Sequence, residues 1–291
     1  MKLSKSFIGL VTVSTIFVLY ASGLYTKFQS DSALEIVDFS IAKPASEKNI
    51  PSNPDRVPLY GDLHVHTKYS FDAYIFGVTA TPYDAYKYAI GEAIKHPLGF
   101  DMKLKEPLDF YAVTDHGFYM GMIENYADTS SEMSKNEWTK PMHNLNRPEN
   151  VTVESLGARA NLFSSVLTQA IIKPYPYWHP KVWKAWLTNN IQVALQSFDY
   201  DVHKSAWADV ANAAEEFNDP GKFTTFIGYE FTTSTDVEGG NLHRNVIFNS
   251  SDAPIRPWTR IDSINPEDLW TWMDGLRDQG LDSLAMPHNS N

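Results

Sequence analysis

The sequence predicts an α/β fold in which short apolar strands end in polar tips, and three observations predict it. Five short strand-like segments each adjoin a histidine or a carboxylate, and turn residues bound them. The middle of the chain, about residues 118–218, reads instead as a largely helical insertion. The chain has 291 residues and is 43% hydrophobic, enough for a substantial core in one large domain or two small ones. An apolar strand with a polar tip is the pattern of a parallel sheet or barrel, whose site lies at the C-terminal strand ends.

The elements follow in order. Residues 6–26 carry no charge and are preceded by Lys2 and Lys5. This reads as an export signal or an uncleaved N-terminal membrane anchor, with the lysines on the cytoplasmic side. Residues 27–57 contain Pro44, Pro51 and Pro54 and one short apolar run at Ile36-Val37, and read as a tether. The main domain is expected over 58–291. It opens with Val57-Pro58-Leu59-Tyr60, an apolar lead-in read as a strand, followed by Gly61-Asp62-Leu63-His64-Val65-His66-Thr67. Residues two apart on a strand share a face, so His64 and His66 present two imidazoles side by side, half of a metal site.

Leu108 to Thr114 reads as a strand running into Asp115-His116-Gly117, and Phe223 to Tyr229 as one running into Glu230. A lone glutamate ending an apolar strand is costly unless paired or metal-bound. Its alternative is an ion pair with Arg244. His243 to Phe248 reads as a strand that begins with its histidine, so His243 must arrive from a loop or its strand must run differently. Leu284 to Pro287 leads into His288-Asn289. Asn245 and Asn289 are candidates to orient substrate or water. Within the insertion, Ile191–Leu195 and Ala206–Phe217 read as helices. Trp178, Trp183 and Trp186 lie about Pro176 and Pro180, near a helix start, and most of the aromatics there are expected to pack against the rest of the domain. His96, His143 and His179 lie in polar or proline-rich loops and read as bland.

Composition narrows the chemistry. No cysteine is present, which excludes disulfides and thiolate metal sites. Any metal must use histidine, carboxylate and water, a donor set that favours zinc, manganese or iron. The net charge of −11 argues against a nucleic-acid partner. It leaves room for an anionic substrate, because bound divalent ions reverse the local field.

The Gly-Asp-Leu-His-Val-His-Thr segment, Ser70-Phe71-Asp72 and Thr114-Asp115-His116 together resemble the polymerase-and-histidinol-phosphatase (PHP) superfamily. Phe71 to Gly77, Pro107 to Phe110 and Gly228-Tyr229-Glu230-Phe231 are more narrowly similar to the uncharacterised family DUF3604. The resemblance spans about residues 58–291. It implies a distorted TIM-like barrel with a helical insertion and two or three divalent ions. His64, His66 and His116 are then ligands, Asp72 the carboxylate version of a further ligand, and Glu230 a bridge between two ions. His243 and His288 complete the second ion's shell, and Asp115 orients a histidine from behind. Lys68 and Arg244 are candidates to hold phosphate oxygens. The superfamily's closing Asp-x-His should follow His288, yet the chain stops at Asn291, so the barrel is expected to be incomplete at its C-terminus. Asp201-Val202-His203 has that spacing but the wrong order.

The expected function is a metal-dependent hydrolase of a small-molecule phosphate ester, exported and possessing a metal-activated water of pKa ~7. The alternatives are an amidohydrolase-like C–N or C–O hydrolase and a non-catalytic exported metal- or ligand-binding protein.

Overall fold

The computed structural model describes residues 33–40, 56–169, 198–234, 241–263 and 265–289. The strands in the first half are β1 (Ile36–Asp38), β2 (Gly61–Val65), β3 (Ile94–Lys95), β4 (Asp101–Met102) and β5 (Phe110–Val113). Those in the second half are β6 (Thr224–Thr225), β7 (Gly228–Ser234), β8 (Asn241–Phe248), β9 (Asp252–Pro254) and β10 (Ser283–Asn289). The helices are α1 (Phe71–Ile75), α2 (Pro82–Ala89), α3 (Met122–Ala127), α4 (Leu156–Gln169), α5 (Tyr200–Phe217) and α6 (Pro266–Arg277).

Two three-stranded sheets carry the architecture. One is parallel, in the order β2-β5-β6, and the other antiparallel, in the order β10-β8-β7. The pairs β1-β9 and β3-β4 form separate two-stranded ribbons. The two larger sheets touch where the chain leaves β5. Glu230 N donates to Asp115 O and Gly117 N donates to Glu230 O, both at 2.9 Å. Gly61 is required in β2, since a Cβ there would lie 2.2 Å from Phe110 O on β5.

The helices have local causes. At α2, Thr81 and Asp84 form a capping box and Pro82 occupies the first turn. Asp199 caps α5 by accepting from the amides of Asp201 and Val202. Ala206, Trp207, Val210, Ala211, Ala213 and Ala214 give α5 one buried face at helical spacing. That face meets α2, α6 and the sheets in the larger core, where the Trp207 indole donates to Pro254 O at 2.6 Å. A second core gathers Phe71, Phe118, Met122, Tyr126 and Leu162 beneath α1, α3 and α4.

Three expectations are corrected. The distorted TIM-like barrel is not found: among the described residues the sheets are small and separate, and none closes. The reason is the chain direction after Glu230. The short connection from Ser234 to Asn241 suits an antiparallel return, whereas parallel neighbours need a crossover of a dozen or more residues. Val57 to Tyr60 is not a strand. Those residues are exposed, and the strand is the histidine-bearing segment itself. Part of the stretch read as a tether is structured, because β1 pairs with β9 and Ala33 O accepts from the Trp272 indole. Residues 6–26, Ile191–Leu195, Trp178, Trp183, Trp186 and His179 lie outside the described residues. Among the described residues no helix is long and apolar enough to cross a membrane.

Candidate metal centre

Both large sheets deliver side chains to one carboxylate. Glu230 is the third residue of β7, and its side chain is only 1% exposed. Its Oε2 lies 3.2 Å from His64 Nε2 and 2.8 Å from His66 Nε2. Its Oε1 lies 2.5 Å from His243 Nδ1, 3.3 Å from His116 Nδ1 and 3.5 Å from His288 Nε2. Asp72 extends the cluster, 3.2 Å from His66 Nδ1 and 3.6 Å from His116 Nε2. All seven residues expected as ligands therefore meet in one place.

Register explains the convergence. His64 and His66 come from the end of β2, and His116 from just beyond β5, its parallel neighbour. β7 and β8 are antiparallel, with Thr232 opposite His243 and Glu230 opposite Asn245. His243 is near the start of β8, so the antiparallel return sets it beside the glutamate. β10 repeats the device on the other side of β8, where Asn289 pairs with His243. His288 follows from that register.

Hydroxyls brace the cluster. Ser70 Oγ donates to Asp72 Oδ1 at 2.5 Å and accepts from His116 N at 3.2 Å. Thr232 Oγ1 lies 2.5 Å from His116 Nδ1 and 3.2 Å from Glu230 Oε1. Sequence reasoning missed Thr232 as a site residue. The signal was its place two residues after Glu230, on the same face of the strand.

The three residues expected to support the ligands or the substrate, Asp115 behind a histidine and Lys68 and Arg244 on phosphate oxygens, make other contacts. Asp115 is fully buried and accepts from Thr67 N at 2.5 Å and Thr67 Oγ1 at 2.7 Å, so it fastens the turn after His66. Lys68 pairs with Glu124 at 2.9 Å. Arg244 lies over the Trp270 ring, 4.8 Å from its centroid, and shows no ion pair with Glu230. The Asp201-Val202-His203 segment is part of α5, and His203 Nε2 lies 2.7 Å from Gly117 O.

A model of the family described as protein of unknown function (DUF3604) matches residues 53–291. The chain belongs to this family. No curated protein and no solved structure matches it.

The donor set of this DUF3604 domain fits divalent metal. Three trios have ligand atoms within 4.8 Å of one another: His64, His66 and Glu230; His66, Asp72 and His116; His116, Glu230 and His243. Burial opposes the Glu230 carboxylate, but hydrogen bonds from His243, His64 and His66 hold it well below the usual carboxylate range. Burial likewise opposes the Asp72 carboxylate, and His116 and His66 hold it low. Burial works against the charged form of His66, yet Asp72 and Glu230 outweigh it and push its pKa up to about 10. Burial dominates at His116 and lowers it. A cation is thus demanded here, and imidazolium at His66 meets the demand only by giving up a lone pair. A divalent ion supplies the charge and uses the lone pairs. Asn245 adds an orphaned atom beside the cluster. Its amide nitrogen donates to Leu63 O at 2.6 Å, while its buried Oδ1 has no partner.

Proposed function

We propose that this domain is a metal-dependent hydrolase acting on phosphate esters. The observation that supports the reading most is Glu230, a buried carboxylate with histidine nitrogens ranged about both oxygens. That is the arrangement of a bridging ligand. A neutral imidazole has one lone pair, so His66 and His116 each serve one ion. His64, His66 and Glu230 Oε2 then form one donor set, and Glu230 Oε1, His116 and His243 another, with His288 near the second. Asp72 is left to a further ion. The histidine pair, Asp72, His116 and Glu230 match motifs of the PHP superfamily, and this supports kinship with it at the level of the site.

When bound, zinc, manganese or iron supplies Lewis acidity that brings the pKa of water toward ~7 and offsets charge on a phosphoryl group. The chain's own residues hold the donors still. Ser70 aims Asp72, Thr232 aims His116, and Asp115 locks the turn that carries His66. The orphaned Oδ1 of Asn245 is free to accept a hydrogen bond from water or a substrate hydroxyl. The uncharged segment 6–26 after Lys2 and Lys5 supports an exported protein whose substrate is a small molecule.

The test compares the protein with a His64→Ala/His66→Ala variant, each supplied with zinc, manganese or iron and assayed on a panel of phosphomonoesters and phosphodiesters. Hydrolysis by the parent and its loss in the folded variant is expected. A parent that binds metal yet turns over no phosphoester contradicts the hydrolase reading.

A further inference from the structure

Three arginines are buried among the described residues: Arg159 at 2% exposure, Arg256 at 3% and Arg260 at 4%. Two have acceptors for their guanidinium groups, although the Arg256 Nε is itself enclosed without one. Arg159 donates to the carbonyls of Ile75, Leu145 and Asn150, to Asn146 Oδ1 and to Ser155 Oγ. Arg256 makes a two-pronged pair with Asp262 at 2.7 and 2.9 Å. Arg260 has neither. Among the described residues its guanidinium meets no carboxylate and no hydrogen-bond acceptor, and its Nε is enclosed without one. Its guanidinium lies over the face of Phe118, 5.0 Å from the ring centroid.

A buried cation without an anion is costly, and a phenyl face does not replace the acceptors that water supplied. Burial pulls the Arg260 pKa down to about 10, which leaves it charged at neutral pH. The loop presenting it is braced. Asp262 N donates to Thr259 O, and Thr259 N to Asp262 Oδ2, both at 2.9 Å. The guanidinium is thus held in a fixed place without its counter-ion.

That place borders the metal centre. The Phe118 ring beneath Arg260 lies 6.1 Å from the His116 ring and 4.6 Å from the Phe71 ring, which itself lies 4.9 Å from His116. Thr259, the neighbour of Arg260, packs on Gly117, where a Cβ would come within 3.1 Å of its methyl. We propose that Arg260 binds an anionic oxygen group, phosphate or carboxylate, of a small-molecule ligand, one aromatic ring away from His116. The anion site stands on the geometry of Arg260 alone. Its assignment to the substrate, as an anionic group remote from the scissile bond, rests on the hydrolase reading.

The experiment measures binding of inorganic phosphate and of acetate by calorimetry and thermal melting. The proteins are the parent, the His64→Ala/His66→Ala variant, Arg260→Met and Arg260→Lys. At least one anion is expected to raise the melting temperature of the parent and of the histidine variant. Arg260→Met should lose affinity by at least ~10-fold, the scale of one charge-assisted hydrogen bond, with Arg260→Lys between. In anion-free buffer Arg260→Met should melt at or above the parent, because an unpaired buried charge is gone. Preference for phosphate or acetate identifies the group. Equal anion affinity in the parent and Arg260→Met overturns the proposal, as does no response of the parent to either anion. An Arg260→Met protein that is unfolded or melts lower without anion marks a structural cation and overturns it too. Metal content should be unchanged in Arg260→Met, so failure here is separable from failure of the hydrolase reading.

Discussion

At the scale of single residues, the site is governed by what each buried charge can find. Glu230 and Asp72 find imidazoles, and His66 is charged in the metal-free protein because it lies between them. The folded pKa of His66, about 10, lies above its unfolded value of 6.5. Its stabilising contribution is therefore complete below pH 6.5 and lost as pH rises through about 10. Glu230 and Asp72 are shifted the other way, so their contribution is present above the ordinary carboxylate range and lost as pH falls. The metal-free protein should accordingly melt lower as pH rises from 6.5 to 10. The metal-loaded protein should do the reverse over the lower part of that span, since metal requires neutral imidazole. Calorimetric scans of both forms across that range check this, and a flat metal-free profile would contradict it. Thr232→Val removes the hydroxyl beside His116 Nδ1 while keeping the shape of the side chain. Metal affinity should fall about 10- to 100-fold, the usual effect of losing an orienting partner, as read by competition with a chelating dye. Asp115→Asn leaves one of the two Thr67 donors without a good acceptor, and should cost about 1–3 kcal/mol in denaturant unfolding.

At the scale of elements, the decisive feature is that parallel and antiparallel strands bring their ends to one point. The histidine pair was legible because strand alternation is a local property, while Asp72, His116 and Glu230 were legible as candidates through the motif resemblance. So were α5, from its alanine-rich run, and the strand holding His288, whereas Phe223 to Tyr229, read as one strand ending at Glu230, is split between β6 and β7 in different sheets, with Glu230 inside β7. Strand direction was not legible from polar tips alone. His243, sitting before its own strand, was the clue, since only a strand running back beside β7 brings it to Glu230. The lead-in Val57 to Tyr60 misled because apolar residues there are exposed rather than paired. Arg260 left no signal at all, because its lack of partners is a property of packing. Two substitutions test the elements. Gly61→Ala should disrupt β2-β5 pairing, since its Cβ would meet Phe110 O at 2.2 Å, and metal binding should weaken with it. Asp199→Ala should cost about 1 kcal/mol through loss of the α5 cap and leave metal stoichiometry unchanged. Equilibrium unfolding beside elemental analysis separates the two.

At the scale of the whole molecule, the centre works as a clasp between the two large sheets. β2 and β5 contribute His64, His66 and His116, while β7, β8 and β10 contribute Glu230, His243 and His288. A metal ion bound there would tie the two sheets together, so ligation should stabilise the whole domain. Glu230 carries this claim, because its two carboxylate oxygens contact histidines from both sheets. The most direct test is the metal content of Glu230→Gln, which keeps the shape of the side chain but removes the charge and one ligating oxygen. Elemental analysis of the folded variant beside the parent should show two or more equivalents of zinc, manganese or iron in the parent and at least one equivalent lost in Glu230→Gln. Equal stoichiometry and affinity in the two proteins would contradict the account.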